Sequence, residues 1–247
     1  MNRRRLSLLV PPTAWLVVFL VLPTAALAVS AFSSDGLRAL LSASTWILFG
    51  RSLRIAVVST GLCLAVSYPV AYYIVGCAPK TRGLLLFLVV LPFWTNLLVR
   101  IYALKFCLEP LGWADSEAAV IFAIVQSFLP FMILPLYASI EKLPHRLLEA
   151  AQDLGASPAL AFLKVTVPLT LPGIAAGCIL VFIPVLGIFA LPEFIHEPTH
   201  LIGGQIELYF KKNRNPGAGS ALTLILMVLT LALTGIYSRF RKSEGLV

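Results

Sequence analysis

Long runs without a charged residue dominate this sequence. Six of them, each 17 to 28 residues long, occupy residues 6–32, 55–78, 83–99, 118–140, 165–192 and 215–238. A helix needs about 20 apolar residues to cross the hydrocarbon core of a bilayer. In lipid the backbone polar groups must be satisfied within the segment, and a helix does this. The sequence therefore predicts an all-α membrane protein with six transmembrane helices.

The composition excludes most soluble classes of protein. Apolar residues make up 59% of the chain and charged residues 12%, with a mean hydropathy of +0.93. A soluble domain carries about 25% charged residues. The net charge of +8 comes without a basic stripe, which fits the flanking charges of a membrane protein better than nucleic-acid binding. The four cysteines form no CxxC pair and are predicted to be small apolar residues.

The six runs define one transmembrane domain over residues 1–247. Its predicted spans are residues 6–32, 53–78, 83–108, 118–140, 165–192 and 215–238. The third span reaches residue 108 only if the side chains of Arg100 and Lys105 extend toward a headgroup layer. The first span follows three arginines, but its 27 residues are long for a cleaved signal, so we expect an uncleaved anchor.

Basic residues set the expected orientation. Placing both termini in the cytoplasm puts 11 Lys and Arg residues on the inner side and 8 on the outer side or at outer helix ends. Cytoplasmic segments of multi-pass proteins carry the excess of Lys and Arg. Seven acids lie on the outer side and leave it nearly neutral. We therefore expect a multi-pass chain, surrounded by membrane lipid, with both termini in the cytoplasm.

Prolines recur within the predicted spans. Each removes a backbone hydrogen bond and kinks its helix, which membrane helices tolerate where neighbours or cavity water satisfy the freed groups. So many kinks favour a channel or transporter over a simple anchor. Gly173 and Gly177, four residues apart, predict a close contact between helices. The prolines are Pro12, Pro23, Pro69, Pro92, Pro130, Pro135, Pro172 and Pro184.

Two segments match sequence motifs of enzymes, and both matches are predicted to be coincidental. Residues 196–200 (HEPTH) match the HExxH pattern of zinc proteases, but Pro198 interrupts the helix that must carry both imidazoles. Residues 76–81 end like a phosphate-binding loop, but Pro79 stands where a glycine belongs. We therefore expect no metal site, no cofactor in this chain and no enzymatic activity. An intramembrane metalloprotease is disfavoured, and so is a secondary transporter, because inverted repeats and intramembrane acids are not evident.

The inner segment at residues 141–164 carries an amphipathic pattern. Apolar residues recur at helical spacing on one face. Gly155 suits the left-handed end of a helix, and Ser157 followed by Pro158 suits the start of the next one. The segment therefore predicts a short helix, an elbow and a second helix, which either lies on the bilayer or docks to a cytoplasmic partner. The apolar positions are Leu143, Leu147, Leu148, Ala151 and Leu154.

This segment resembles the coupling loop, or EAA loop, of binding-protein-dependent ABC importer permeases. It contains Glu149-Ala150-Ala151, then three residues, Gly155, nine residues and Val165-Thr166-Val167-Pro168. The family pattern is Glu-Ala-Ala-x3-Gly-x9-Ile-x-Leu-Pro, and valines replace Ile and Leu here. The resemblance implies a cytoplasmic loop between helices 4 and 5 that couples to an ATPase. The implied coupling residues are Glu149, Ala150, Ala151, Gly155 and Pro168.

A second resemblance covers more of the chain. Residues 91–103 (LPFWTNLLVRIYA), 129–137 (LPFMILPLY) and 189–193 (FALPE) are similar to spermidine/putrescine permeases of the PotB type. This family implies a bacterial inner-membrane importer with a second homologous permease, a cytoplasmic ABC ATPase dimer and an extracytoplasmic solute-binding protein. ATP hydrolysis would then belong to the ATPase subunits. Related permeases carry sulfate, molybdate, phosphonate or iron, so those solutes stay open as alternatives.

A path for a polyamine needs carboxylates and aromatic faces, because the substrate is a flexible polycation. Glu193, at the predicted outer end of the fifth span, is the acidic candidate, and Trp94, Tyr102 and Tyr137 are the aromatic ones. The alternative roles are a solvated loop acid for Glu193 and interfacial anchoring or packing for the aromatic residues. Arg100 opposes a simple cation path unless it pairs with a carboxylate or faces away.

Overall fold

The structure is a computed structural model that describes residues 3–113, 116–195 and 201–243. Within these ranges every regular element is helical and no strand occurs, as the sequence predicted. The α-helices are α1 (Arg3–Ala31), α2 (Ser34–Leu41), α3 (Ala43–Gly76), α4 (Pro79–Val90), α5 (Leu97–Leu108), α6 (Glu117–Ile140), α7 (His145–Asp153), α8 (Pro158–Ala161), α9 (Val167–Leu169), α10 (Leu171–Leu186), α11 (Ala190–Ile195), α12 (Ile202–Lys211) and α13 (Pro216–Ser243).

Four continuous helices in the described ranges are long and apolar enough to cross a membrane. They contain the segments Pro11–Ala31, Ala43–Gly76, Glu117–Ile140 and Pro216–Arg239. Two further candidates are bent pairs: Pro79–Trp94 with Leu97–Leu111 at 95°, and Pro158–Leu169 with Leu171–Leu186 at 66°. Counting each bent pair as one span gives six. The stretches expected as continuous third and fifth spans therefore each contain a sharp break.

A capped helix start fixes the break in the third span. A single 3₁₀ turn at Leu91–Trp94 ends α4, and Thr95 then adopts an extended conformation with φ −91° and ψ 144°. The side-chain oxygen of Asn96 accepts a hydrogen bond from the backbone N–H of Leu98 at 2.8 Å. This satisfies one of the free donors at the start of α5. The new helix can therefore begin inside the apolar run.

The break in the fifth span lies at Thr170. Its hydroxyl donates to the carbonyl of Thr166 at 2.9 Å, and Pro172 occupies the first turn of α10. Proline is tolerated there because the first N–H groups of a helix have no partner within it. Most other prolines of the spans lie inside helices that continue past them, namely Pro12, Pro23, Pro69, Pro130, Pro135 and Pro184.

Helices α3, α6 and α10 form the centre of the fold. Ile55 of α3, Ile124 and Leu136 of α6 and Val181 of α10 are almost completely buried in one apolar cluster. A Cβ atom added at Gly177 would lie 2.6 Å from the sulfur of Met132, so α10 approaches α6 closely at this glycine. The close helix contact predicted from the glycine pair is therefore present. Helix α1 lies at the periphery against α2 and α13.

Candidate coupling and transport site

The predicted amphipathic helix of the inner segment is α7. Its apolar side chain Leu147 is 44% exposed, and Leu154, directly after the helix, is 89% exposed. Glu149 and Ala150 are also exposed, and Ala151 is half-buried. Helix α7 therefore presents apolar surface and two exposed carboxylates, those of Glu149 and Asp153, outside the fold. Such a surface gains free energy when a partner covers it.

The elbow after α7 has the geometry that the sequence predicted. Gly155 has a φ of +86°, in the left-handed region. Its N–H donates to the carbonyl of Gln152 at 2.8 Å, and the N–H of Ala156 donates to that of Ala151 at 3.0 Å. These bonds satisfy carbonyls at the helix end. The hydroxyl of Ser157 then accepts from the N–H of Leu160 at 3.3 Å and caps α8.

The chain that leads from the elbow back into the fold is fastened to α3. Phe162 packs edge-on against Tyr68 and Tyr72, with ring centroids 5.4 Å and 5.5 Å apart. The hydroxyls of Tyr68 and Thr170 lie 2.7 Å apart. Because the Thr170 hydroxyl donates to Thr166, the Tyr68 hydroxyl is the donor in this pair. Pro168, a residue of the coupling motif, is exposed on α9 between these contacts.

Arg82 ties the base of the inner segment to two other helices. Its guanidinium donates to Glu141, directly after α6, at 2.8 Å and to the carbonyl of Val75, near the end of α3, at 2.7 Å. Tyr137 also donates to Glu141, at 2.6 Å. The last turns of α3 and α6 and the first turn of α4 are therefore linked at Glu141, four residues before α7 begins. Sequence reasoning missed this cluster because its members are far apart along the chain.

The four candidates for a substrate path do not come together. Tyr137 lies near the carboxyl-terminal end of α6, where its hydroxyl donates a hydrogen bond to Glu141. Glu193 is exposed on α11, and the ring of Tyr102 packs edge-on against the neighbouring Phe194 at 5.4 Å. Trp94 is 76% exposed, beside the break in the third span. The structure therefore associates Tyr102 with the region of Glu193 and places Tyr137 elsewhere.

Glu193 lies within electrostatic reach of a lysine. The Nζ of Lys211, at the end of α12, pairs with Glu207. The hydrogen bond and charge of Glu207, together with the charge of Glu193, raise the pKa of Lys211. The region around Glu193 thus contains two carboxylates and one ammonium group.

The HEPTH motif at residues 196–200 lies outside the described residues. In the part of the chain that the structure describes, no cluster of three or more His, Cys, Asp or Glu residues has the arrangement of a metal site.

The family model for the binding-protein-dependent transport system inner membrane component matches residues 67–243. The chain belongs to this family. The matched region includes the whole inner segment with its elbow and both broken spans. Membership defines the chain as a multi-pass membrane permease of a transport system, as the sequence predicted.

Relatives within the permease family match the chain over most of its length. The spermidine/putrescine transport system permease protein PotB of Haemophilus influenzae is 39% identical, covering 93% of this chain and 91% of the relative. PotB of Escherichia coli K12 is 35% identical, covering 94% of this chain and 96% of the relative. The inner membrane ABC transporter permease protein YdcU of E. coli K12 is 31% identical, covering 85% of this chain and 75% of the relative.

Solved structures show the same fold. A chain of a bacterial ABC transporter involved in the import of the acidic polysaccharide alginate matches with a TM-score of 0.71, covering 94% of each chain at 18% identity. An inward-facing MetNI methionine ABC transporter matches with a TM-score of 0.62, covering 82% of this chain and 98% of the other. The chain thus has the overall fold of ABC importer permeases.

Proposed function

We propose that this chain is a permease subunit of an ATP-driven importer of polyamines such as spermidine and putrescine. The observation that carries the proposal is 39% identity to a spermidine/putrescine permease over more than nine-tenths of both chains. The chain would form half of the translocation pathway, beside a second homologous permease. An extracytoplasmic binding protein would deliver the substrate.

The inner segment is proposed to couple transport to a cytoplasmic ABC ATPase dimer, so that both termini also lie in the cytoplasm. Helix α7 supplies exposed apolar surface and the carboxylate of Glu149 for docking. Gly155 and Ser157 set the direction of the chain after α7. The contacts of Phe162 with α3 and the Arg82–Glu141 pair would transmit a displacement of α7 to the central helices. A rigid-body movement of this kind interconverts inward- and outward-facing states.

ATP hydrolysis is assigned to the partner, and no cofactor is expected in this chain. Its own residues then contribute by docking and by shaping the path. The exposed Glu193, with Tyr102 nearby, would favour an ammonium group at the outer mouth. Tyr137 would instead act through its bond to Glu141 in the inner cluster.

Co-purification tests the proposed assembly. The complex is extracted in mild detergent through a tag on this chain, and its subunits are identified by mass spectrometry. For each copy of this chain we expect one copy of a second permease and two copies of an ABC ATPase. Recovery of the chain without any ATPase, under conditions that keep a known importer intact, would refute the proposal.

Binding measurements on the associated extracytoplasmic receptor test the substrate. We expect tighter binding of spermidine or putrescine than of sulfate, molybdate, phosphonate or iron. A preference for an anion would keep the importer class but overturn the polyamine assignment. Arg100 is the feature that would favour an anion, because it places a positive charge inside the fold.

A further inference from the structure

Arg100 of α5 is a half-buried cation without an ion-pair partner in the described residues. Two of its guanidinium nitrogens, Nε and Nη1, are inaccessible to solvent and donate no hydrogen bond there. The four ion pairs of the described residues all involve other side chains. Removing a charge from water without pairing it is unfavourable. A negative group that reached these two nitrogens from outside the described residues would therefore stabilise Arg100.

Arg100 lines a cavity of about 420 Å³ between α5, α6 and the chain that leads into α11. Ser127 of α6 lines the same cavity, is only 7% exposed, and its hydroxyl makes no hydrogen bond within the described residues. Phe93, Phe128, Phe131 and Leu191 supply apolar walls. The guanidinium of Arg100 and the hydroxyl of Ser127 face one largely apolar cavity, and a single carboxylate could accept hydrogen bonds from both.

The position of the cavity along α6 limits which groups could supply that carboxylate. Ser127 lies ten residues from Glu117 and thirteen from Ile140 within α6. At 1.5 Å per residue these separations are about 15 Å and 20 Å. The cavity thus lies near the middle of the span, away from both layers of lipid headgroups. The proposed substrate is a cation and cannot neutralise the guanidinium.

No described acid forms an ion pair with Arg100, and Glu193, two residues after the cavity-lining Leu191, is exposed on α11. Glu117 pairs with Arg51 and Arg54, Glu141 with Arg82, and Glu207 with Lys211. Near Arg100, the side chains of Val99 and Phe106 on α5 are 65% and 76% exposed. These two residues are seven positions apart and therefore lie on one face of the helix. A helix packed on that face would cover apolar surface and reach the cavity at the same depth.

We propose that a carboxylate side chain of the second permease subunit enters this cavity and pairs with Arg100 and Ser127. The proposal rests on the proposed function only in requiring a second permease. The pair neutralises Arg100, so its charge no longer repels a polyamine in the path. It also fixes the register of the two permeases, because a buried ion pair tolerates little displacement.

The test compares three variants in the complete importer. Arg100→Met removes the charge at similar length and leaves the partner's carboxylate buried and unpaired, so uptake is expected to fall at least tenfold. Arg100→Lys keeps the charge and is expected to stay within about threefold of wild type. Lys105→Met, on the same helix, is the matched control and is expected to stay within about twofold. Quantitative immunoblots of membranes correct each value for the amount of chain.

Compensation decides the proposal. Each Asp and Glu in the spans of the second permease is changed singly to Asn or Gln in the Arg100→Met background. We expect one of these changes to restore uptake at least fivefold, because it removes the orphaned carboxylate. Normal uptake by Arg100→Met would overturn the proposal. So would rescue by none of them, or rescue instead by Asp115→Asn or Glu197→Gln in this chain.

Failure of the proposed function is visible separately. If the purified wild-type complex contains no second permease, the assembly itself is wrong, and this is known before any variant is made. If the receptor prefers another solute, the compensation is measured with that solute and decides the pairing in the same way.

Discussion

Gly155 and Gly112 form a matched pair for testing the elbow. Both have a positive φ, +86° and +66°, and an added Cβ would meet no atom within 4 Å at either position. Alanine at either site therefore introduces backbone strain without a clash. The left-handed conformation costs an alanine about 1–2 kcal/mol. Because 1.4 kcal/mol corresponds to a factor of ten, the equilibrium constant between the elbow and alternative backbone conformations should fall about 5- to 30-fold.

The two substitutions should separate strain from coupling. Gly155→Ala and Gly112→Ala are expected to lower the unfolding temperature of the purified chain by similar amounts. In proteoliposomes containing the complete importer, Gly155→Ala is expected to reduce ATP-driven spermidine uptake about 5- to 30-fold, in line with the strain. Gly112→Ala should leave uptake within about twofold of wild type, because Gly112 lies in the turn before α6, away from α7.

A rescue sharpens this prediction. Asparagine adopts the left-handed conformation more readily than alanine. Gly155→Asn should therefore recover most of the uptake that Gly155→Ala loses. Equal uptake by the Gly155→Ala and Gly112→Ala variants would refute the reasoning that the elbow geometry serves coupling.

Three further predictions follow from the structure. Glu149→Lys should abolish uptake with normal membrane levels, and Glu149→Gln should retain more activity, because docking depends on the sign of the charge; equal uptake by both would contradict this. Glu193→Gln should reduce polyamine uptake about three- to tenfold as one attractive charge is lost, whereas normal transport would remove Glu193 from the path. Gly177→Val should destabilise the chain by about 1–3 kcal/mol, because the larger side chain would overpack against Met132. Thermal unfolding in detergent measures this, and an unchanged unfolding midpoint would contradict the close approach of α10 and α6.

The helical architecture and the elbow could be predicted because both depend on local rules. Charge-free runs require helices in lipid. The Gly155 conformation and the Ser157 cap follow from the backbone freedom and hydrogen bonding of single residues. The short helix, the elbow and the cap of the inner segment were therefore recognisable in the sequence.

The breaks within the spans were harder to predict. Pro92 indicated a kink, but the chain turns at Thr95 and Asn96, where a side-chain cap starts a new helix. A short polar residue inside an apolar run is a weak signal, since Ser and Thr also occur in continuous spans such as α3. The 95° angle between the two halves of the third span depends on how each half packs against the rest of the fold. The periodicity of apolar residues along the sequence carries no information about that packing.

Long-range partners explain the remaining differences at the candidate site. Tyr137 has the residue type of a cation-binding aromatic, but its position on α6 places it at the carboxyl-terminal end of that helix, beside Glu141. Arg82 and Glu141 are 59 residues apart, so no spacing rule connects them. Arg100 was recognisable in the sequence as an unusual charge within an apolar run. That Arg100 and Ser127 line the same cavity could be seen only from the packing of α5 on α6.

ATP-driven uptake of labelled spermidine by proteoliposomes is the most direct test of the central claim. The vesicles contain the complex purified through this chain, with ATP on the ATPase side and the extracytoplasmic receptor on the other. The account predicts accumulation that requires ATP and receptor, is blocked by excess putrescine and is unaffected by sulfate. Absence of spermidine accumulation in vesicles whose ATPase responds to a different receptor-bound solute would contradict it.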